Sequence, residues 1–361
     1  MLLSSDCIFF WNRSYIMINQ IPEIKLVTDG KEWNTILKKI DCYDCYHTFE
    51  YHHLSKLKGE LPILIYYEGK TGKIAFPLLK RKIPKYDFYD CTSVYGYVGP
   101  IFTPNIDEID LSFFQIAIAK FFKKEKIISV FSRLNPFLVS QEKSLTQLGK
   151  IETLGKVIFI DLRENNRNQR LGYSKTTKRY LNKSRKFCSI KKEFDQEDIL
   201  IFKNLYYENM NRVNANSYYY FEESYFQQLL QAKEFTTDVK YVINNDTEEI
   251  IAGAIFIKSK HVIHYHLSGT KTEFLHLNPL RLLIDEMRLE NPNYKEYAYF
   301  NLGGGLGNNE DDLYRFKSSF SNNHKIFKVW KYIVNQHMYD TLTVLKDDDS
   351  NFFPTYRKVQ N

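Results

Sequence analysis

Cysteine is scarce in this chain: five cysteines occur in 361 residues, and their odd number and wide scatter do not form a disulfide framework. Cys42 and Cys45 have CxxC spacing, but no second CxxC pair and no spaced histidine pair completes a zinc set. We therefore expect incidental thiols, no metal site and a reducing, cytoplasmic location.

Long apolar runs are missing as well, so we expect no segment that spans a membrane. With only 15 glycines and 10 prolines, collagen-like and disordered compositions are excluded. Asp6 and Arg13 interrupt the first sixteen residues and no small-residue cleavage site follows, which disfavours a signal peptide. Translation from Met17 is an alternative to a start at Met1. In contrast, 27 Tyr, 27 Phe and an apolar fraction of 43% supply a large core, enough for about two domains.

The positive charge is concentrated in one segment. The whole chain carries a formal charge of +7, whereas residues 161–193 contain eleven Lys and Arg against three acids. Within this segment a helix is predicted over 174–187, with Ser174 as its N-cap and Tyr173, Tyr180 and Phe187 towards the core. Its opposite face combines Lys175, Lys178, Arg179, Asn182 and Lys186. A solvated amphipathic helix and a binding face for phosphates, nucleic acid or an acidic membrane are both open, and the unbalanced like charge favours an anionic partner.

Hydrophobic periodicity predicts the same element order twice: helices, antiparallel strands, helix, strand. The predicted helices cover 31–40, 48–58, 111–124, 174–187, 196–212, 222–232 and 279–290. The predicted strands cover 63–67, 73–79, 127–132, 157–162, 239–244, 250–258, 261–268 and 297–302. We therefore predict an N-terminal extension over 1–23, a first domain over 24–150, a second domain over 151–334 and a polar, peripheral tail over 335–361.

Two glycine-containing segments are candidate binding sites. Residues 92–100 alternate aromatics with glycine, and the faces of Tyr95 and Tyr97 suit stacking on a ligand, although a core strand with a bend has the same pattern. Residues 301–307, NLGGGLG, directly follow a predicted strand. Their backbone N–H groups are suited to approach a ligand or an oxyanion, although a structural turn remains the alternative.

Lysine and histidine supply the other candidates. Lys317, a few residues after the glycine loop, is placed to stabilise a tetrahedral oxyanion or a leaving phosphate. His264 and His266 share one face of a predicted strand, but no third metal ligand occurs at a readable spacing. These residues therefore favour charge stabilisation by Lys317 over a metal site at His264 and His266.

Six segments taken in order resemble one family. They are YGYVGP at 95–100, RYLNKSRK at 179–186, ENMNRVNANSYYYF at 208–221, HLNPLRLL at 276–283, NLGGG at 301–305 and LYRFKSSF at 313–320. Together they resemble the Fem-type branch of the GNAT acyltransferase superfamily, over about residues 24–334. The resemblance implies an α/β (α+β) fold of tandem GNAT-like domains, each a mixed, mostly antiparallel sheet flanked by helices. It also implies a transfer site mostly on the second domain.

The resemblance assigns roles to particular residues. Phe316 and Lys317 match the family's LxxFK motif, which is thought to help the transfer step. Arg212 matches an arginine that contacts the acceptor's phosphates, with Tyr220 beside it. Lys58 matches a lysine of the first domain, although the glutamine and tryptophan usually found before that lysine are absent here.

Donor and acceptor follow from the same resemblance. The family uses aminoacyl-tRNA donors and cytoplasmic cell-wall precursors that carry UDP or a lipid pyrophosphate. Acetyl-CoA-dependent GNAT enzymes have a glycine-rich pyrophosphate loop where this chain reads LHLNP at 275–279, and Pro279 has no backbone N–H to offer. Acetyl-CoA is therefore disfavoured. The helical arm thought to aid tRNA binding in some relatives has no heptad counterpart here, and the basic helix is its predicted substitute.

The sequence therefore predicts an acyltransferase that forms an amide on an amine of a peptidoglycan or surface-polysaccharide precursor. We expect no resident cofactor, and the expected donor is aminoacyl-tRNA or acyl-CoA. The expected partners are an anionic cell-wall, sugar-nucleotide or lipid-linked precursor and tRNA. A peripheral contact with the inner membrane surface is expected as well. A substrate carboxylate or phosphate, or an unidentified acid, takes the amine's proton. The alternatives are an acyl-CoA-dependent N-acyltransferase of amino sugars and a non-catalytic RNA- or membrane-binding protein. The predicted catalytic residues are Lys317 and Phe316, and the predicted substrate-binding residues are Lys58, Tyr95, Tyr97, Lys175, Arg179, Asn182, Lys186, Arg212, Tyr220, Asn301, Gly303, Gly304 and Gly305.

Overall fold

The computed structural model describes residues 21–138, 140–191, 198–291, 296–344 and 352–358. Residues 1–20 of the predicted N-terminal extension lie outside these ranges, and so does the alternative start at Met17. The strands are β1 (Lys25–Val27), β2 (Glu60–Glu68), β3 (Lys73–Lys82), β4 (Tyr89–Thr92), β5 (Ile101–Phe102), β6 (Ile127–Arg133), β7 (Lys150–Asp161), β8 (Cys188–Ile190), β9 (Thr236–Asn244), β10 (Ile250–Ser259), β11 (Val262–Thr270), β12 (Tyr299–Gly303) and β13 (His324–Ile333).

The α-helices are α1 (Gly30–Ile40), α2 (Phe49–Ser55), α3 (Glu108–Lys124), α4 (Asn166–Leu171), α5 (Lys175–Phe187), α6 (Asp198–Arg212), α7 (Glu223–Gln231), α8 (Pro279–Glu290), α9 (Asp312–Ser318) and α10 (Gln336–Thr343). Within the described ranges, every predicted helix or strand coincides with an observed element of the same type, and residues 196 and 197 of the predicted helix 196–212 lie outside those ranges. Across the described ranges, no helix has the length and apolarity needed to cross a membrane.

The described residues divide into two compact units. The first contains the residues up to Glu152 and those from Lys328 onward, and the second runs from Thr153 to Phe327. These limits differ from the predicted domains, because residues 328–334 lie with the first unit and not with the second.

The first unit has a sheet in the order β1-β2-β3-β4-β6-β13, with β5 also paired to β3. All of its ladders are antiparallel except β4–β6. Alternate residues of β2 enter different cores: Ile63 and Ile65 pack with α3, whereas Leu64 packs with α1. Because both faces are covered by helices, β2 is apolar along most of its length.

The C-terminal residues complete the first unit. Residues 329–333 of β13 pair antiparallel with β6, and Trp330 is fully buried in the core beneath α3. Tyr339 of α10 packs on Ile83 and Ile128, and the hydroxyl of Tyr356 lies 2.7 Å from Ser129 Oγ. The described part of the predicted peripheral tail is therefore packed against the first unit, because its scattered aromatic residues are the ones that supply the contacts.

The second unit has a sheet in the order β7-β12-β11-β10-β9-β8, in which only β11–β12 is parallel. Ala254 and Phe256 of β10 share a core with Leu283 and Met287 of α8. Gly253 precedes Ala254 and faces the other side of the strand, where a Cβ on it would lie 3.0 Å from the Phe202 ring of α6. The helices α8 and α6 thus cover opposite faces of this sheet. The predicted fold class is confirmed, since both units are mixed α/β structures with helices on their sheets.

A buried ion pair stabilises the second unit. Asp285 and Arg288 of α8 are 0% and 1% exposed, and Arg288 Nη2 donates to Asp285 Oδ1 over 2.8 Å. The hydroxyl of Tyr173 donates to Asp285 Oδ1 over 2.9 Å and accepts from Arg288 Nε over 2.9 Å. A further bond joins Arg288 Nη1 to Gln169 Oε1 over 3.2 Å. These contacts tie the start of the basic segment to α8.

Two fully buried histidines lie near the CxxC segment of the first unit. His47 Nδ1 accepts from the backbone N–H of Asp44 over 3.1 Å, and His52 Nδ1 lies 3.1 Å from the carbonyl of Thr48. Burial lowers the pKa of His47 to about 4 and that of His52 to about 3. Burial raises the pKa of the Cys45 thiol, as does the neighbouring Asp44, so the thiol stays protonated and unreactive.

These histidines predict a loss of stability in mild acid. Both pKa values are lower in the folded state than the ordinary 6.5, so the stability is complete above pH 6.5 and falls as the pH decreases towards 4 and 3. Each histidine should cost about 2 kcal/mol of unfolding free energy at pH 5 relative to pH 8. Urea unfolding at the two pH values measures this loss, which His52→Gln should halve. The exposed His337, replaced by Gln, is the control, and equal losses in both variants would contradict the assignment.

Candidate active site

The parallel pairing of β11 and β12 covers only three residue pairs, from Val262–Tyr299 to His264–Asn301. Beyond them β11 continues to Thr270. Next to the end of this ladder β11 has a bulge: Tyr265 and Leu267 face consecutive residues of β10, which leaves His266 as the extra residue. The last paired residues, His264 and Asn301, therefore mark the point where the two strands cease to bond to each other.

Asn301 connects this point to the glycine loop. Its side-chain nitrogen lies 3.0 Å from His264 Nδ1, and its Oδ1 accepts from the backbone N–H of Gly303 over 2.8 Å. Because an amide nitrogen can only donate, His264 Nδ1 accepts this bond. Both residues are buried, so the bonds hold the beginning of the loop in one conformation.

The second histidine of this strand is also hydrogen-bonded. His266 Nε2 lies 2.9 Å from the hydroxyl of Tyr225. Burial, together with the neighbouring His264, lowers the pKa of His266 to about 3, so its ring is neutral at physiological pH. Both histidines of this strand are therefore hydrogen-bonded, His264 to Asn301 and His266 to Tyr225.

The glycine loop requires glycine at two of its positions, Gly303 and Gly305. Gly303 has a φ of 82°, in the left-handed region that favours glycine. A Cβ on Gly305 would lie 2.0 Å from the carbonyl oxygen of Asn309 and 2.5 Å from Asp311 Oδ1. Asp311 also accepts from the backbone N–H groups of Leu306 and Tyr314, over 2.9 and 2.8 Å. The loop therefore folds tightly onto the N-terminus of α9.

Lys317 returns from α9 to this loop. Its Nζ donates to the carbonyl oxygen of Gly304 over 2.7 Å. Desolvation lowers the pKa of Lys317 to about 8, against the opposing effect of Asp311. The lysine thus lies, partly buried, against the glycine loop, and the predicted proximity of the two is what the structure shows.

Phe316, the neighbour of Lys317, points to the core. Its ring contacts Phe320 edge-on, with centroids 5.5 Å apart, and packs at the margin of the α8 core. Phe316 and Lys317 therefore lie on different sides of α9. One side chain anchors the helix, and the other reaches the loop.

The basic helix α5 exposes Lys175, Arg179, Asn182 and Lys186. Its buried residues are Thr177, Leu181 and Ser184, and Ser174 caps it by accepting from the N–H of Thr177 over 3.0 Å. Within the described ranges, none of these cations pairs with a carboxylate. The prediction that Phe187 faces the core was wrong: it is 39% exposed, because the helix turns its Thr-Leu-Ser stripe inward, and Tyr180 is half-buried.

Arg212 and Tyr220 lie together at the end of α6. Arg212 donates to the carbonyl of Thr270 and to the hydroxyl of Thr272, both over 3.1 Å, and to Asn209 Oδ1 over 2.6 Å. The hydroxyl of Tyr220 donates to Asn211 Oδ1 over 2.8 Å. These bonds fix Arg212 at the end of β11 and Tyr220 at the end of α6, and a phosphate contact by Arg212 stays a prediction.

Three predicted substrate-binding residues belong to the first unit. Tyr95 and Tyr97 are half-buried in an irregular segment, where Gly96 has a φ of 118° and a Cβ on it would lie 2.2 Å from the Tyr46 ring. Lys58 is exposed in the turn between α2 and β2. The glycine-rich segment is thus a tightly packed turn and not the core strand that was its alternative.

Sequence reasoning missed Arg281, Asp311 and the partners of Asn301. Asp311 had a readable signal, since an aspartate before Leu313 and Tyr314 is typical of an N-cap. Arg281 stands in the HLNPLRLL segment, but its contacts with α5 and α9 have no local signal. The pairing of Asn301 with His264 depends on strand register, which the sequence does not give.

Comparisons with known proteins show which solved structures this fold is similar to. No family model matches the chain, and a search of curated proteins found no match. The chain is similar to the crystal structure of FemX, with a TM-score of 0.67 and 13% identity over 88% of this chain and 99% of that chain. It is also similar to L-PGS from Bacillus licheniformis, with a TM-score of 0.53 and 12% identity over 88% and 94%. A conserved protein of unknown function from Bacteroides thetaiotaomicron VPI-5482 has a TM-score of 0.55 and 12% identity over 86% and 99%.

At these identities the likeness concerns the fold. The resemblance to Fem-type proteins predicted from the six sequence segments is confirmed at that level, because the similarity to FemX extends over most of both chains.

Proposed function

We propose that this protein is an acyltransferase that transfers an activated aminoacyl or acyl group to an amine of a cell-envelope precursor. The observation that carries the proposal is the bond between Lys317 Nζ and the carbonyl of Gly304, in a loop directly after β12. A FemX-like fold supports it. The acceptor, a peptidoglycan or surface-polysaccharide precursor, comes from the sequence resemblance.

In the proposed reaction the amine nitrogen attacks the carbonyl carbon of an activated ester or thioester. A C–N bond forms, the bond to the leaving oxygen or sulfur breaks, the amine loses a proton and the leaving group gains one. Lys317 would stabilise the developing oxyanion: one N–H of its ammonium is held by Gly304, and two further donors remain for the substrate. A pKa of about 8 keeps most of the lysine charged at neutral pH while its desolvation strengthens the interaction.

The remaining predicted residues would bind the substrates. Lys175, Arg179 and Lys186 project from one exposed face of α5, next to Asn182, and would hold phosphates of the donor. Arg212, with Tyr220, would contact phosphates of the acceptor. Lys58, Tyr95 and Tyr97 are the substrate-binding residues proposed for the first unit, and Phe316 would form part of the channel wall. The proton of the amine would pass to a substrate carboxylate or phosphate.

Aminoacyl-tRNA is the donor that the second unit favours. At the N-terminus of α8, Asn278 has a φ of 56°, its side chain makes no cap bond, and Pro279 has no N–H. This helix end therefore lacks one of the backbone donors that a pyrophosphate would use, the N–H that Pro279 does not have. The exposed cations of α5 match the phosphate backbone of a nucleic acid in charge.

A transfer assay tests the proposal. The purified protein is incubated with aminoacyl-tRNA or acetyl-CoA and with UDP-linked muropeptide, lipid-linked muropeptide or an amino sugar, and the amide product is measured by mass spectrometry. We expect the acceptor to gain one aminoacyl group in the presence of aminoacyl-tRNA. Product from acetyl-CoA alone would support the acyl-CoA-dependent alternative. No product from either donor, with RNA or vesicle binding retained, would overturn the enzyme assignment in favour of a binding protein.

A further inference from the structure

We infer that Arg281 is a positioning residue for Lys317, an inference that rests on the proposed function of this site. Arg281 lies in the first turn of α8, and its Nη1 donates to Ser319 Oγ and to Thr177 Oγ1, each over 2.7 Å. Its guanidinium also lies over the Phe316 ring, 4.9 Å from the centroid. Arg281 thus contacts Phe316, which precedes Lys317, and Ser319, which follows it. Through Thr177 it also contacts α5.

The contacts with Arg281 determine where the hydroxyl hydrogens of Thr177 and Ser319 point. Since each hydroxyl accepts from the guanidinium, its own hydrogen must point elsewhere. Thr177 donates to Ser319 Oγ over 2.8 Å, and Ser319 donates to the carbonyl of Phe316 over 2.6 Å. The chain of bonds that begins at Arg281 therefore ends on the peptide group that joins Phe316 to Lys317.

A backbone bond holds the same junction. The N–H of Ser174, the N-cap of α5, donates to the carbonyl of Ser319 over 2.9 Å. The Thr177 hydroxyl stands one turn into α5. Arg281 therefore holds the end of α9 against the first turn of α5, and the position of α9 determines where the Lys317 amine meets the glycine loop.

Only arginine suits this place. In the ranges that the structure describes, no carboxylate lies within ion-pair distance of Arg281, and its surroundings are hydroxyls and rings. Besides Phe316, the rings of Tyr180 and Phe320 lie 5.5 and 5.6 Å from the guanidinium. A planar guanidinium donates hydrogen bonds in its plane and stacks on rings with its faces. Lysine keeps the charge but has no planar group with paired donors, and glutamine has no charge.

The consequence concerns the environment of Lys317. Its amine has a low pKa because it is desolvated between α9 and the glycine loop. If the end of α9 loosens, water reaches the amine and its pKa returns towards 10.5. A residue that merely stabilised the fold would change the unfolding temperature without changing this value in the folded protein.

The test measures the Lys317 amine directly, without a substrate. Full-length protein is labelled with trace acetic anhydride between pH 6 and pH 11, and the acetylation of the Lys317 peptide is followed by mass spectrometry. We expect a midpoint near pH 8 for the natural protein and a shift of about one unit or more towards 10.5 for Arg281→Gln. Arg281→Lys, which keeps a donor for the hydroxyls, should shift less. Arg315→Gln, an exposed change on the same helix, should not shift the midpoint.

An unchanged Lys317 midpoint in folded Arg281→Gln would overturn the inference. If that variant does not fold, Ser319→Ala removes one link and leaves Arg281 in place, and an unchanged midpoint in Ser319→Ala overturns the inference equally. In the transfer assay Arg281→Gln should lower kcat roughly tenfold to a hundredfold with a smaller change in KM. If the proposed function alone fails, no variant transfers an acyl group and the labelling shift persists, so the two failures are distinguishable.

Discussion

Replacing Lys317 by methionine should lower the rate of acyl transfer by about 10²- to 10³-fold, the range found when a single oxyanion donor is removed. Methionine keeps an unbranched apolar side chain, one heavy atom shorter than that of lysine, but has no donor for the oxyanion or for Gly304. Because the interaction develops in the transition state, kcat should fall and KM should change little. Steady-state kinetics of amide formation, with the donor identified by the transfer assay, measure the effect.

The matched control for this change is Arg315→Met. Arg315 lies on the same short helix, is exposed, and pairs with Asp312 through Nη2 over 2.7 Å. The control should retain transfer within about a factor of two, since exposed ion pairs contribute little. A Lys317→Met variant that is as active as the natural protein, or two variants equally impaired, would remove Lys317 from the proposed chemistry.

The Asp285→Ala change should lower the unfolding free energy of the second unit by about 3–5 kcal/mol. It leaves the guanidinium of Arg288, which is 1% exposed, without its carboxylate, and it removes the acceptor of the Tyr173 hydroxyl. Arg185 also loses its ion-pair partner. Urea unfolding at pH 7, followed by circular dichroism, measures the loss.

An exposed pair provides the comparison for Asp285. Asp312→Ala removes the carboxylate that Arg315 contacts. The Asp312 and Arg315 side chains are 98% and 68% exposed, so the change should leave the unfolding free energy almost unchanged. Similar losses of unfolding free energy for Asp285→Ala and Asp312→Ala would mean that burial of the Asp285–Arg288 pair does not determine how much the pair contributes to stability.

Local features of this protein were predictable because they depend on neighbouring residues. The α5 helix and its Ser174 cap follow from a 3.6-residue period and one hydroxyl, and the proximity of Lys317 to the glycine loop follows from their short separation in the chain. The error at Phe187 has a local cause. The prediction followed the aromatic residues at every seventh position, whereas the stripe in contact with the core consists of the smaller residues Thr177, Leu181 and Ser184.

Features that depend on distant residues were not predictable. The bond between Asn301 and His264 requires the register of a parallel pair, and Arg281 acquires its role from Thr177 and Ser319, far away in sequence. The assignment of residues 328–333 of β13 to the first unit likewise depends on their pairing with β6, which no property of residues 328–334 reveals. Long-range partners are set by the whole fold and not by periodicity.

The discontinuity of the first unit has a consequence for synthesis on the ribosome. The second unit is complete once Phe327 has been made, whereas the first still lacks the strand that pairs with β6. Until residues 329–333 emerge, β6 therefore keeps one unpaired edge, and Trp330 is not yet available to fill the core under α3. During that interval the edge is a temporary site for unwanted strand addition, and the pairing of residues 329–333 with β6 removes it.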